Sequence, residues 1–275
     1  MWLTFHRLRF TCLAAEPIFF PRGKPGNVLR GGFGSVLKRI DPTAYARLFE
    51  PSPSPARPSG MQDPTRLFVF RAGHLDGRQI EPGETFHFDF HLFDTRHDAL
   101  NVLTSAFSEL GREGLGHTRG RAELAGVETD SVRIALQAAQ ESVPQLRIEF
   151  VTPTELKSGG DAVAEPRFPV LLARARDRVS TLRSLNGHPP LEIDYRKLGE
   201  DAQSIAITRC DIGLVDVMRR SARTGQRHPL GGFVGVAEYE GELRDFLPWL
   251  HAAQFTGVGR HTAWGQGEIR IVELQ

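Results

Sequence analysis

The stretch with most chemical capacity lies near the C-terminus: Gly257-Val258-Gly259-Arg260-His261-Thr262-Ala263-Trp264-Gly265-Gln266-Gly267. The glycines at 257, 259, 265 and 267 permit positive φ and let backbone N–H groups approach a partner closely. Arg260, His261 and Thr262 then stand where a phosphate would rest, and Trp264 offers a stacking face for a base or a sugar. Imidazole moves protons near neutrality, and a guanidinium holds anionic charge. The plain alternative is a tight helix-to-strand connection, but glycines combined with Arg and His exceed what a turn requires. The stretch has the form of neither a nucleotide-binding P-loop nor a dinucleotide fingerprint.

Other residues could serve the same chemistry. Arg30, Gly34 and Lys38 fall at i, i+4 and i+8 of a helix, so two cations flank a small residue on one face, a plausible wall for a phosphate backbone. Gly31, Gly32 and Gly34 each cost that helix ~1 kcal/mol relative to alanine, so close approach of another backbone or of RNA should compensate, the plain alternative being close packing between the halves. Residues 219–232 hold Arg219, Arg220, Arg223 and Arg227 and read as a basic hairpin or loop able to grip a nucleic acid. His87, Asp89 and His91 share one face of a strand. That pattern fits a metal triad, but it is more simply the wet face of a half-buried strand. The remaining histidines form no ligand cluster, and neither a catalytic pair of acids nor a nucleophile elbow is present.

Composition sets the frame. The chain has 275 residues, 40% hydrophobic and 24% charged, as in a folded globular protein. A net charge of +1 does not by itself announce a nucleic-acid partner. Cys12 and Cys210 form no C-x-x-C pair, which excludes a thiolate zinc site, and two cysteines do not indicate a disulfide framework. No secretory apolar region follows Met1 and no stretch is long enough to span a membrane, so a soluble, cytoplasmic protein is expected.

The elements that must position these residues follow from periodicity. Residues 7–12 alternate as a strand, 28–40 have helical spacing, and 51–64 are a Pro- and Ser-rich loop. The clearest strand is 84–93, with Phe86, Phe88, Phe90 and Leu92 on one face. A helix over 95–111 would be capped by Asp94 or Thr95. Residues 114–120, Gly-Leu-Gly-His-Thr-Arg-Gly, then lead into a strand. The second half repeats the order: a strand at 146–150, a helix at 170–185, strands at 204–208 and 233–239, a helix at 242–253 that Pro248 would break or kink, the glycine-rich loop and a last strand at 268–274. Each glycine-rich stretch follows a helix, contains G-x-G and His-Thr, and enters a strand. Two β-α-β-β-α-β units are therefore expected, at 1–130 and 140–275. The first loop's His117 shares the context of His261.

Together these pieces resemble the CRISPR-associated endoribonucleases that process precursor CRISPR RNA, within the repeat-associated mysterious protein superfamily. The likeness runs through the chain: Leu29-Arg30-Gly31-Gly32-Phe33-Gly34, Gly114-Leu115-Gly116, Thr152-Pro153-Thr154-Glu155-Leu156-Lys157, Gly231-Gly232-Phe233-Val234-Gly235 and the closing glycine-rich loop. The resemblance implies an α+β fold of tandem ferredoxin-like (RNA-recognition-motif-like) domains, antiparallel sheets with helices on one face. It also implies binding of CRISPR repeat RNA and one cut without metal or other cofactor, by attack of the RNA's 2′-hydroxyl on the adjacent phosphate. On that basis His261 is the acid/base candidate and Arg260 and Lys38 stabilise charge, with Tyr45 a further candidate. Arg30, Gly34, Lys157, Arg220, Arg223, Gly257, Gly259, Thr262, Trp264, Gly265 and Gly267 would hold RNA. One departure is that residues 26–39 contain no histidine, where many relatives carry one in or near the first helix. This leaves open a non-catalytic RNA-binding subunit of a CRISPR effector complex, with other effector subunits as partners.

Overall fold

Strand β1 (Trp2–Ala14) shows how the first half is layered: Leu8, Phe10 and Cys12 are buried on one face, and Arg7 and Arg9 lie half-exposed on the other. This computed structural model describes residues 1–51, 65–116, 118–138, 140–220 and 227–273. After β1 come β2 (Ile18–Phe19), α1 (Pro25–Ile40), α2 (Pro42–Phe49), β3 (Phe68–Arg71), β4 (Gln79–Ile80), β5 (Thr85–Leu92), α3 (Leu100–Glu113) and β6 (Ala122–Ala135). The second half holds β7 (Gln145–Thr154), β8 (Lys157–Ser158), β9 (Asp161–Ala162), α4 (Phe168–Leu185), α5 (Tyr195–Asp201), β10 (Ala206–Val215), β11 (Met218–Arg220), β12 (Arg227–Pro229), β13 (Gly232–Glu240), α6 (Leu247–Thr256) and β14 (Ile269–Glu273).

Two four-stranded sheets result, in the orders β3-β5-β1-β6 and β10-β13-β7-β14. Every neighbouring pair in them is antiparallel. With the two-residue strands, the β11–β12 pair and the short helices α2 and α5 set aside, each half runs β-α-β-β-α-β, and each sheet has the order second-third-first-fourth. This is the ferredoxin-like arrangement, twice. In the first half Phe33 of α1 stacks on Phe107 of α3 with ring centroids 4.3 Å apart, over a floor of Phe10, Phe88 and Phe90. In the second, Phe168 of α4 packs edge-on against Tyr239 and Phe246. No helix among the described residues is long and apolar enough to cross a membrane.

The halves meet at the C-terminal end of α6. Its last carbonyls lack intrahelical donors and are met from elsewhere. Arg71 Nη2 donates to Gln254 O at 2.8 Å, His91 Nδ1 to Phe255 O at 3.0 Å, and Arg178 Nε to Thr256 O at 2.6 Å. Arg71 and His91 belong to the first sheet, Arg178 to α4. Phe5 closes on His91 and Phe255, with ring centroids 5.1 and 5.2 Å away. Nearby, Asn186 donates to Phe93 O and Arg183 to Trp2 O. One end of the first sheet's outer face is thus covered by helices of the second half, so each of its faces carries helices.

Several expectations need correction. The helix expected from residue 95 begins at Leu100, because Asp94 is buried between Arg47 (2.6 Å) and His97 (2.9 Å), and its carboxylate is engaged there rather than as a cap. Asp98 instead accepts from Leu100 N at 3.1 Å. Pro248 does not break α6; it occupies the first turn, where no N–H is needed. Helices α2 and α5 were not foreseen. The expected loop at 51–64 falls, from residue 52 on, outside the described residues, as do His117 and Arg223.

His91 gives this interface a pH dependence. Burial pushes its imidazole down to about 3, Arg71 and Arg7 adding repulsion while the Phe255 carbonyl and Asp89 pull the other way. An unfolded histidine titrates near ~6.5. Below that pH the unfolded chain takes up a proton that the folded chain refuses until about 3. The stabilisation is therefore complete above pH ~6.5 and is lost as pH falls, at up to ~1.4 kcal/mol per pH unit. In urea unfolding between pH 6 and 4, His91→Asn, which keeps a donor for Phe255, should show a slope of stability against pH shallower by about one proton. An unchanged slope would show that His91 is solvated.

Candidate functional site

The glycine-rich loop begins where α6 is pinned. Gly257 ends the helix with φ +73, as Gly114 ends α3 with φ +99. In each loop the next residue donates to a later glycine: Leu115 N to Gly120 O and Val258 N to Gly267 O, both 2.9 Å. The first closure encloses residues 116–119 and the second 259–266, so the C-terminal loop is the longer of two related hairpins. The added length holds one turn of 3-10 helix, Thr262–Trp264.

That turn reaches across to the first half. Gln266 Nε2 donates to Gly23 O at 2.9 Å. The Trp264 carbonyl lies so close to α1 that a Cβ on Gly26 would sit 2.4 Å from it. The Arg30 guanidinium lies over the Trp264 ring, 3.5 Å from its centroid, a cation–π pair joining the halves. On the other side the loop is laced to the end of β7. Thr152 Oγ1 donates to Gly265 O and accepts from Glu268 N, both at 2.9 Å. Arg260 N donates to Glu155 O at 3.0 Å, a contact that only a residue without Cβ at 259 permits, since one there would stand 2.3 Å from that oxygen.

Glu155 organises the reactive side chains. Its carboxylate accepts from Arg260 Nη1 at 3.0 and 3.3 Å, and its Oε2 lies 3.9 Å from His261 Nε2. The side chains of Glu155 and His261 are 15% and 17% exposed, half-shielded from water yet reachable. His261 has φ +60 and ψ +23 in the left-handed region, uncommon for a residue with a side chain. Hydrogen bonds from Trp264 N (2.8 Å) and Gln266 N (3.4 Å) to His261 O hold it there. The arrangement sets a proton carrier, a guanidinium on a shared carboxylate, a stacking indole and a second guanidinium along one seam.

The structure brings Arg30, Arg260, His261, Thr262, Trp264 and the four loop glycines together. Of these, Thr262, Gly257, Gly265 and Gly267 are buried and shape the loop from inside. Lys157, in β8, follows Glu155 by two residues. Lys38 is not brought to His261: it lies about 12 Å further along α1 than Arg30, with its ammonium 5.1 Å from the Tyr45 ring. Gly34 is buried under Phe49 and Gly32 faces Leu110, so the packing of α1 on α2 and α3 compensates these two, while Gly31 is exposed with nothing within 4 Å. The β11–β12 arm carries Arg220 in its backbone. His87, Asp89 and His91 do not gather around an ion. Asp89 pairs with Arg9 at 2.7 Å and Arg7 at 3.3 Å, His91 is spent on α6, and no cluster of three potential metal ligands exists among the described residues. Sequence reasoning missed the roles of Glu155 and Gln266. Their only signal was their place within distinctive stretches, since their partners are distant in sequence.

Comparison with known proteins follows the same division. The family model described as CRISPR-associated endoribonuclease Cas6 matches residues 148–269, and that of the AF_1859_N N-terminal domain matches residues 3–147. A Cas6 (TTHB231) product complex is 17% identical over 98% of this chain and 100% of its own, with a TM-score of 0.63. Cas6 (TTHB231) of Thermus thermophilus is 16% identical over 99% of each, with 0.60. A partial Cas6-RT-Cas1–Cas2 complex is 13% identical over 98% of this chain and 46% of the other, with 0.63. At these identities the likeness is one of fold. No curated protein sequence matches the chain.

Two glycines of α1 test the docking of the loop. Gly26→Ala should lower unfolding stability by ~1–3 kcal/mol, because its methyl group collides with backbone. Gly31→Ala should raise it by ~0.5–1 kcal/mol, since an open helix position gains propensity. Urea titrations measure both. A harmless Gly26→Ala would mean that the loop does not rest on α1.

Proposed function

The chain belongs to the CRISPR-associated endoribonuclease Cas6 family, and from that premise we propose that it binds CRISPR repeat RNA and cuts it without a metal ion, by attack of the RNA's own 2′-hydroxyl. What carries the proposal is the strained His261, set with Arg260 on Glu155 at the seam where Arg30 and Trp264 join the halves. The reaction needs a base for the 2′-OH, a cation for the charge on the phosphorus oxygens and an acid for the departing 5′-oxygen. His261 takes a proton role, Arg260 the charge, and Trp264 and Arg30 stack on and grip the strand. Lys38, away from His261, is assigned to the RNA backbone further along α1, and Lys157, Arg220 and Arg223 are assigned to RNA binding as well. Residues 1–130 and 140–275 act as two domains holding the strand between them. The products would be a 2′,3′-cyclic phosphate and a 5′-hydroxyl.

A second reading, a non-catalytic RNA-binding subunit, draws on the absence of histidine from α1. A relative occurs within a Cas6-RT-Cas1–Cas2 complex, so the proposal includes protein partners of the same system.

Purified protein should cleave cognate repeat RNA in EDTA, and a single 2′-deoxy substitution at the cut should abolish cleavage. His261→Ala should slow single-turnover cleavage by ~10²–10⁴-fold with binding held within a few-fold. Tight binding of intact RNA by the wild type under these conditions would favour the non-catalytic subunit. Unchanged cleavage by His261→Ala would move the proton step elsewhere.

A further inference from the structure

Three cations beside the first glycine-rich loop take no part in the site described so far. Arg22 and Arg119 are exposed and Lys24 is half-buried. The acids nearby are already engaged: Glu16 holds Arg121 at 2.6 Å, and Asp76, which lies within the electrostatic reach of Arg22, accepts from Gly23 N at 2.5 Å. Arg119 has φ +53, and it and His261 are the non-glycine residues with positive φ among those described, one in each glycine-rich loop. Strain of this kind persists where surrounding structure imposes it, often at ligand-holding positions.

Their placement is continuous. The first loop lies on residues 17–19 and on the start of α1: a Cβ on Gly120 would stand 2.2 Å from Pro17 O, and one on Gly116 3.4 Å from Phe19 O and 3.6 Å from Val28. The segment then passes Arg22 and Gly23, where a Cβ would meet Val217 at 2.5 Å. Val217 O accepts from Leu230 N at 2.7 Å and so closes the base of the β11–β12 arm, with Arg219, Arg220 and Arg227 in its strands. Gly23 O also receives Gln266 of the C-terminal loop. Residues 17–24 are therefore a bridge touching both glycine-rich loops and the foot of the arginine arm.

We propose that Arg119, Lys24 and Arg22 form a second track for a ribose-phosphate backbone, leading from the first glycine-rich loop along residues 17–24 to the β11–β12 arm. This rests on the RNA-binding function above and extends it: the strand is held beyond the nucleotides at His261, on side chains that take no part in cleavage. Such contacts add affinity and salt dependence but no chemistry.

Fluorescence anisotropy with a labelled single-stranded RNA of mixed sequence, about thirty nucleotides long, tests the track. Each phosphate contact contributes about 0.7 to the slope of log K against log salt. Arg22→Gln/Lys24→Gln/Arg119→Gln should flatten that slope by about 2. A control that removes the same charge elsewhere, Arg196→Gln/Lys197→Gln/Arg244→Gln, should leave it within about 0.5. Should the triple variant misfold, Arg119→Gln alone should lower the slope by about 0.7. An unchanged slope in the track variants, with binding weakened by Trp264→Ala, overturns the track and leaves the RNA reading standing. Equal flattening in the control overturns it as a bulk charge effect. Absence of RNA binding by the wild type overturns both.

Discussion

The structure depends on how the last three carbonyls of α6 are satisfied. A helix end directed at another domain brings partial negative charge and unpaired acceptors into a place with little water. Here Arg71, His91 and Arg178 supply the missing donors, two of them from the other half of the chain. Burial lowers both guanidinium pKa values, Arg178 to about 9, and Arg71 adds repulsion to Arg178. At about 9 the Arg178 guanidinium stays charged at neutral pH. Two like charges stay buried there because the helix end and, for Arg71, the fields of Glu268 and Asp89 favour them. Charge-assisted bonds of this type contribute ~1.5–3 kcal/mol each, and removing one partner of a buried charge costs ~3–5 kcal/mol. Parting the halves would leave Arg71 and His91 without the carbonyls that hold them.

The consequence for function is positional. Gly257 follows Thr256 directly, so the loop starts from a point fixed by both halves. From there it is held by β7 on one side and by α1 on the other, through Thr152, Glu155, Gly23 and Gly26. The first half builds the shorter hairpin after α3 with the same closing bond. Duplication explains the shared frame, and the longer closure explains the difference: only the C-terminal copy is long enough for its tryptophan and glutamine to cross the seam. A site assembled in this way owes its geometry to the association of the domains as much as to the loop's own sequence.

Much of the frame was legible in the sequence because periodicity reports burial on a single face. The Phe86-Phe88-Phe90 alternation and the spacing of Leu29, Phe33, Val36 and Leu37 gave the strand and the helix of the first core directly. Comparing the two glycine-rich stretches gave the repeat, since G-x-G after a helix constrains backbone that no other residue type can adopt as readily. What stayed hidden depended on contacts distant in sequence. Asp94 looks like a cap until Arg47 claims it. His91 looks like the wet side of a strand until α6 covers it, whereas Asp89 two residues away does face solvent and salt-bridging arginines. Lys38 shares a helix face with Arg30, but only tertiary structure shows that the loop docks at the opposite end of that helix. Glu155 carried no motif of its own, and its importance comes from the two side chains that share it.

That shared carboxylate bears on the missing histidine of α1. Arg260 and His261 are adjacent, and one acid serves both at 3.0 and 3.9 Å. A phosphate entering the loop meets a guanidinium already engaged, so binding there is an exchange of anionic partners rather than the capture of a free cation. Exchange costs less than desolvating an unpaired charge, because Arg260 is partly stripped of water before the ligand arrives. The carboxylate, the guanidinium and the imidazole that meet in this exchange all come from the C-terminal half, and none is drawn from α1.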